Sequence, residues 1–417
     1  MRFLHTADIH LGYQQYNSQA RFDDFGRAFL YVVDEALKHK VDFVLLAGDF
    51  FEKRTVDPLA MRQAVAGLQK LAAARIPLLA VEGNHERPHY RDQYSWLQFL
   101  DAIGLLILLE PRLEEGRLLL EPYTAESGGA YVDLPGGVRV YGLKYYGAST
   151  DRILALFRDA LARLEGPQPA YSILLMHAGL EGILPRCSGV ATRQAVEPLR
   201  EHINYLALGH IHKPYGLEGW IYNPGSLETW AMDEAAWADR GYYLVDVAKH
   251  SATSHRARLI PTPRRAFVRL KVSVDACATP QAVYDAVQAE LERVHLAAAD
   301  NQPVVELTLI GSLSFDRLEL DLGHIENQAK EALHPLLVRI QNIAVPAQYP
   351  IYVGEAATRA ELEQQVLEEL IERDLRYRPA AREWAQAAIE IKKKVLDGSS
   401  PQDILSYLRR VWQDLRN

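Results

Sequence analysis

Five short polar clusters hold the residue types that could do chemistry: Asp8-Ile9-His10, Gly48-Asp49, Gly83-Asn84-His85-Glu86, His177, and Gly209-His210-Ile211-His212. Between them they supply two Asp, one Asn and five His, an oxygen and nitrogen ligand set without thiolate. Such a set suits borderline-hard divalent ions such as Mn2+, Fe2+ or Zn2+. Eight ligand-type residues exceed what one ion needs, so two ions about 3.5–4 Å apart, sharing one carboxylate, are expected. An ion pair of that kind makes hydroxide available near neutral pH and neutralises phosphoryl oxygens. The reaction class is hydrolysis of a phosphate ester by in-line attack. A single Asp-x-His is more often a core or loop histidine. The five clusters together carry the reading.

Each cluster follows a short apolar run: Arg2-Phe3-Leu4, 41–47, 77–81, 172–176 and 205–208. Runs of this length bounded by Gly or turn residues read as buried strands. Polar residues leaving the carboxyl ends of several strands meet at one sheet edge. Residues 20–39 have helical spacing, with Asp23 and Asp24 placed in the first turn. Asp57-Pro58 is an N-cap and first-turn pair, followed by Met61, Val65, Leu68 and Leu71 on one stripe. The stretch 92–104 reads as a helix with Tyr94, Trp96, Leu97, Phe99, Leu100 and Ile103 around more than one face, leaving apolar surface for a partner. Residues 117–146 read as hairpins, 151–164 as a helix and 219–247 as further strands.

At 417 residues the chain is too long for one ordinary core. A composition break falls at 261–265, Pro-Thr-Pro-Arg-Arg. Beyond it, alternation at 268–274, a helix from Thr279-Pro280 and a strand at 304–310 suggest a small α+β domain. The last sixty residues carry three apolar stripes: Leu362, Val366 and Leu370; Trp384, Ala388, Ile391 and Val395; Ile404, Leu408, Val411 and Leu415. They read as an amphipathic helix pair with too little core of its own, either packed on the α+β domain or docking a helical partner. The expected architecture is α/β: a two-sheet sandwich flanked by helices (1–260), a small α+β capping domain (265–350) and a C-terminal helix-loop-helix (355–417).

A net charge of −8 argues against a general polyanion-binding surface, so nucleic-acid contact must come through local basic groups or metal ions. Cys187 and Cys277 stand in no ligand spacing and read as reduced thiols of a cytosolic protein. No run is apolar enough to span a bilayer, and the N-terminus reads as lacking a signal peptide.

The clusters resemble the calcineurin-like metallophosphoesterases, whose motif series is D-x-H, G-D, G-N-H-[DE], H and G-H-x-H. All five are present in order. The resemblance implies that Asp8, His10 and His212 hold one ion, that Asn84, His177 and His210 hold the second, and that Asp49 bridges. His85 would stand beside the scissile phosphate as a charge stabiliser or proton donor. The opening FLHTADIHLG, the run GHIHKP and the order of parts are similar to the Mre11/SbcD-type DNA repair nucleases. That resemblance implies Mn2+-dependent exo- and endonuclease activity in double-strand break repair and a nucleoid-associated, cytoplasmic location. It also implies DNA recognition by the capping domain and binding of a Rad50/SbcC-like SMC-type ATPase through 355–417. A homodimer through 57–74 and 92–104 is the further expectation.

One departure is Glu52, where many members have a histidine. Its carboxylate is expected to accept a hydrogen bond from His85 and favour that imidazole's charged form. Glu86 is expected to cap its loop, and Arg54, Arg87 and Arg91 flank the clusters where phosphates could meet them. His5, His89 and Tyr13 are left unassigned. Two other readings compete: a phosphatase or phosphodiesterase on small substrates, and a non-catalytic scaffold that places an ATPase on DNA.

Overall fold

The computed structural model describes residues 1–87, 94–237, 239–248, 254–294, 302–346, 359–372 and 376–414. Along the chain run β1 (Arg2–Thr6), α1 (Gln19–Lys38), β2 (Phe43–Ala47), α2 (Pro58–Ala73), β3 (Leu78–Val81), α3 (Trp96–Ala102) and β4 (Ile107–Leu108). There follow β5 (Tyr131–Leu134), β6 (Val138–Leu143), α4 (Thr150–Arg163), β7 (Tyr171–Met176), β8 (Tyr205–Leu208), β9 (Tyr215–Leu217), β10 (Ile221–Asn223), β11 (Gly241–Val247) and β12 (His255–Pro261).

These strands form two six-stranded sheets, in the orders β12-β11-β1-β2-β3-β4 and β9-β10-β8-β7-β6-β5. β1 to β4 pair in parallel, as do β6, β7 and β8. The carboxyl ends of β1, β2 and β3 therefore share one edge of the first sheet, and those of β7 and β8 share one edge of the second. Between the sheets lies a core of Phe3, Phe43, Leu45, Leu79 and Val81 against Val140, Ile173, Leu175, Tyr205 and Ala207. The outer face of the first sheet buries Leu4, Val44 and Leu46 against Phe29, Val32, Val33 and Ala36 of α1 and Ala64, Leu68 and Leu71 of α2. The outer face of the second meets Ile153, Leu154, Phe157 and Ala160 of α4. Each fully buried Phe, Leu or Ile side chain contributes about 1.5–3 kcal/mol, enough in sum to anchor the polar edge described below.

α1 begins at Gln19, so Asp23 and Asp24 do not lie in its first turn as the sequence suggested. Asp24 is instead buried and pairs with Arg21 and Arg265. Asp57 caps α2 by accepting from the amides of Leu59 and Ala60. α3 is shorter than the 92–104 read from sequence; Ser95 and Gln98 form its capping box, and 92–93 lie outside the described residues. It buries Leu97 and Leu100 and exposes Trp96 and Phe99, and Tyr94 and Ile103 on either side of it are exposed as well.

After residue 261 come β13 (Phe267–Ser273), α5 (Pro280–Glu292), β14 (Val304–Ile310), α6 (Leu322–Leu333) and β15 (Leu337–Asn342), with sheet order β13-β14-β15. The last segment holds three helices rather than a pair: α7 (Arg359–Glu372), α8 (Ala381–Leu396) and α9 (Pro401–Asp414). Trp384 packs edge-on to Tyr377 and Trp412 there, and Lys392 pairs with Glu363. The chain divides into two compact units, one of 1–271, 288–308 and 325–341, the other of 272–287, 309–324 and 342–417. Among the described residues no helix is long and apolar enough to cross a membrane.

Candidate metal centre

The loop after β1 runs along the loop after β2. The amides of Ile9 and His10 both donate to the Asp49 carbonyl, at 2.9 and 3.1 Å, and that of Asp8 donates to the Gly48 carbonyl at 3.1 Å. Asp8, His10, Asp49 and His210 all have φ between 51° and 77°. A left-handed conformation costs a residue with a Cβ about 1–3 kcal/mol and persists where surrounding structure enforces it. Here buried Ile9, in the loop after β1, and buried Ile211, in the loop after β8, anchor their loops from within, so the polar residues on either side of each turn into the same space. Two motif glycines are steric necessities. A Cβ on Gly48, itself at φ +79°, would lie 2.3 Å from His177 Nδ1, and one on Gly83 would lie 2.0 Å from Asp49 Oδ1.

Two donor sets follow the motif series, and a third grouping brings His10 together with Glu52 and His85. Potential ligand atoms of Asp8, His10 and His212 lie within 4.8 Å of one another, as do those of Asp49, His177 and His210. His10 Nε2 is 3.0 Å from His212 Nε2. Asn84 Oδ1 is 3.0 Å from His177 Nε2 and 2.9 Å from His210 Nδ1, and Asp49 Oδ2 is 3.3 Å from His177 Nε2. All seven residues assigned as ligands from the sequence are thus brought together. Asp8 and Asp49 are almost fully buried, so their charge needs a cation or protons nearby. Two imidazole nitrogens facing each other at 3.0 Å, between buried carboxylates and without a thiol, fit divalent ions of the borderline-hard class.

The two buried carboxylates dominate the electrostatics of the cluster. Burial works against a charged His177, but the Asp49 and Asp8 carboxylates outweigh it and lift its pKa to about 9. Burial likewise works against a charged Asp49, yet His177, His10 and His85 hold its carboxyl far below the usual range. His210 is pushed down by burial and by His177.

His85 belongs to neither set. Its amide donates to Asp49 Oδ1 at 2.9 Å, its Nδ1 lies 2.6 Å from the carbonyl of Glu52, and its ring is the part of the cluster left a quarter exposed. The hydrogen bond expected from His85 to the Glu52 carboxylate is not there: those atoms are 3.9 Å apart. The carboxylate turns to His10 Nδ1, 2.9 Å away, and accepts from the indole of Trp230 at 2.9 Å. The main-chain carbonyl of Glu52, not its carboxylate, therefore holds the His85 ring. Glu86 caps its loop, its carboxylate accepting from the amides of Asp49, Phe51 and Gly83 at 3.0, 2.9 and 2.7 Å. Burial and Asp49 push its pKa up to about 8 against those donors.

Sequence reasoning missed Trp230, Glu234 and Arg240. Glu234 Oε1 accepts from His212 Nδ1 at 2.6 Å and Oε2 meets the fully buried Arg240 at 2.5 Å. Burial opposes its charge, but His212 and Arg240 bring its pKa down to about 2. Tyr145, also missed, packs its ring 5.1 Å from that of His210 under the Arg87 guanidinium. Arg54 is exposed, and its carbonyl accepts from the Trp96 indole. His89 and Arg91 lie outside the described residues. Tyr13 stacks on Trp230, and His5 is buried behind the centre between the Tyr205 hydroxyl and the Leu208 carbonyl.

The pattern that defines the calcineurin-like phosphoesterases matches residues 1–214, and the chain belongs to that family. Among characterised relatives it is similar to the DNA double-strand break repair protein Mre11 of Archaeoglobus fulgidus, 32% identical over 57% of this chain and 52% of that protein. It is likewise similar to Mre11 of Aeropyrum pernix, 29% identical over 70% of this chain and 68% of that protein, and to Mre11 of Haloferax volcanii, 31% identical over 66% and 55%. The chain thus spans about half to two thirds of the length of these relatives. A dimetal phosphatase structure from Danio rerio superposes at a TM-score of 0.38 with 11% identity, covering 62% of this chain and 98% of that one, too loosely to argue from.

Proposed function

We propose that this protein is a DNA exo- and endonuclease of double-strand break repair, the nuclease subunit of an Mre11–Rad50-like complex, using two Mn2+ ions. The observation that carries the reading is the convergence of Asp8, His10, Asp49, Asn84, His177, His210 and His212 at one polar edge, in a chain whose relatives are named as DNA break-repair proteins. Asp8, His10 and His212 would hold one ion and Asn84, His177 and His210 the other, with Asp49 between. When bound, such a pair supplies hydroxide near neutral pH and neutralises phosphoryl oxygens. His85 is the residue free to act on the substrate. With its Nδ1–H donated to the Glu52 carbonyl, its Nε2 faces the cluster, and the protonated ring can give that nitrogen's proton to the departing oxygen. The Glu52 carbonyl orients His85, and the Glu52 carboxylate stands beside His10.

Exposed Leu59, Tyr94, Trp96, Phe99 and Ile103 support a homodimer through 57–74 and 92–104. The exposed apolar residues of α7 to α9 support docking of a Rad50/SbcC-like ATPase within 355–417. A protein of this role works at the nucleoid in the cytoplasm.

The test is Mn2+-dependent degradation of linear duplex and hairpin DNA. The wild type should degrade linear duplex, chelation should stop it, and His85→Gln should slow it by about 10²–10⁴-fold while Mn2+ binding persists. Turnover of small phosphate esters with DNA left intact would replace this reading by that of a small-substrate phosphatase.

A further inference from the structure

Each histidine of the centre holds its outward nitrogen on a group behind it, and those groups differ between the two donor sets. His212 Nδ1 donates to Glu234, whose other oxygen meets Arg240 and accepts the Trp230 amide at 3.0 Å. Arg240 is fixed in turn by the Ser226 hydroxyl and the carbonyls of Glu228 and Glu234. His10 Nδ1 lies 2.9 Å from the Glu52 carboxylate, though off the line of a good hydrogen bond. One residue, Trp230, ties both carboxylates: its amide donates to Glu234 and its indole to Glu52. Among the described residues, the groups behind the other set are neutral carbonyls, Ala47 for His177 and Ser188 for His210, each at 2.7 Å. A carboxylate behind an imidazole makes its far nitrogen a stronger donor than a carbonyl does, and loss of such a partner typically costs 10–100-fold in metal affinity. Each set has one carboxylate within reach, Asp8 in the first and Asp49, beside the neutral Asn84, in the second, so the groups behind the histidines are what distinguish them.

Resting on the dinuclear reading above, we propose that the two metal positions are unequal. The Asp8–His10–His212 position fills first and holds its ion more tightly, with Glu234 and Glu52 as positioning residues joined by Trp230. The Asn84–His177–His210 position takes a second, more readily exchanged ion.

Titration calorimetry with Mn2+ alone, without DNA, tests this. The wild type should bind two ions in separable steps. His177→Ala, which leaves the first set whole, should keep the tight step, and His10→Ala should keep only the weak one. Adding Glu234→Gln to His177→Ala should weaken the remaining step about 10–100-fold, whereas adding it to His10→Ala should leave the weak step unchanged. Because Glu234→Gln also strips Arg240 of its ionised partner, Glu52→Gln serves as a second variant that touches no arginine; it should weaken the tight step by a smaller factor. Melting of the metal-free proteins monitors folding. Equal affinities in the wild type, loss of the tight step in His177→Ala, or equal weakening of both steps by Glu234→Gln would overturn the inequality while leaving a dinuclear centre standing. A chain that binds no Mn2+ would overturn both.

Discussion

The strand-end edge and the C-terminal helices of this chain are built on opposite principles. At the edge, polar side chains are buried and held by other polar groups: Glu86 by three amides, Glu234 by His212, Arg240 and the Trp230 amide, Asn223 by the carbonyls of Ile211 and Lys213. In α7 to α9 the described core is small, Ala381, Ala385 and Ala387, while Leu370, Val395, Leu396, Leu405 and Trp412 stay exposed. The first arrangement fixes geometry and needs only ions to complete it. The second fixes little by itself and leaves apolar side chains exposed. Chemistry and assembly therefore make separable demands on the sequence, and substitutions should report on one without the other.

The sharpest break falls at the edge. Asp49→Ala removes a carboxylate that adjoins His177 and takes the His85 amide, so nuclease activity with Mn2+ should fall to background. Activity near wild type would separate these residues from the chemistry. Glu86→Ala should cost stability in the next degree. It leaves three buried amides unpaired, each worth about 1–3 kcal/mol, so urea unfolding should lose several kcal/mol; a loss below about 1 kcal/mol would deny Glu86 its capping role.

A smaller, pH-dependent effect belongs to His5. Burial lowers its pKa to about 3 against the opposing Leu208 carbonyl bond, so it is neutral when folded. An unfolded histidine titrates near 6.5. The unfolded chain thus binds the extra proton between those values, and the stabilising contribution, complete above about pH 6.5, is lost as pH falls toward 3. His5→Gln can still donate to Leu208 and accept from Tyr205, so it should lose little at pH 7 and gain on the wild type by pH 5 in denaturant unfolding. Parallel stability curves would contradict this. The least effect is expected at the other end of the comparison. Leu396→Glu and Leu405→Glu should shift stability by no more than about 0.5 kcal/mol and leave DNA turnover unchanged, while weakening capture of an SMC-type ATPase; a large loss of stability would mean that these residues face an interior.

The edge was legible because each polar cluster directly follows an apolar strand, so the order of motifs carries their spatial convergence. Glycines 48 and 83 were visible as motif letters, although only the structure shows which side chains press against them. Trp230, Glu234 and Arg240 were not legible. They come from a segment whose one helical turn, Met232–Ala236, is too short to show periodicity, and Trp230 reaches Glu52 across 178 positions of sequence. Glu52 was found beside His85, but its carbonyl makes that contact and its carboxylate turns to His10, because spacing places a residue without saying which of its groups touches a neighbour. The C-terminal helices showed their stripes plainly, yet periodicity alone could not tell an inward face from one left open.

The dinuclear centre is tested most directly by anomalous scattering at the manganese edge from crystals equilibrated with Mn2+. Two peaks are expected, one among Asp8, His10 and His212 and one among Asn84, His177 and His210, with Asp49 between them. A single peak, or two peaks away from those residues, would contradict it.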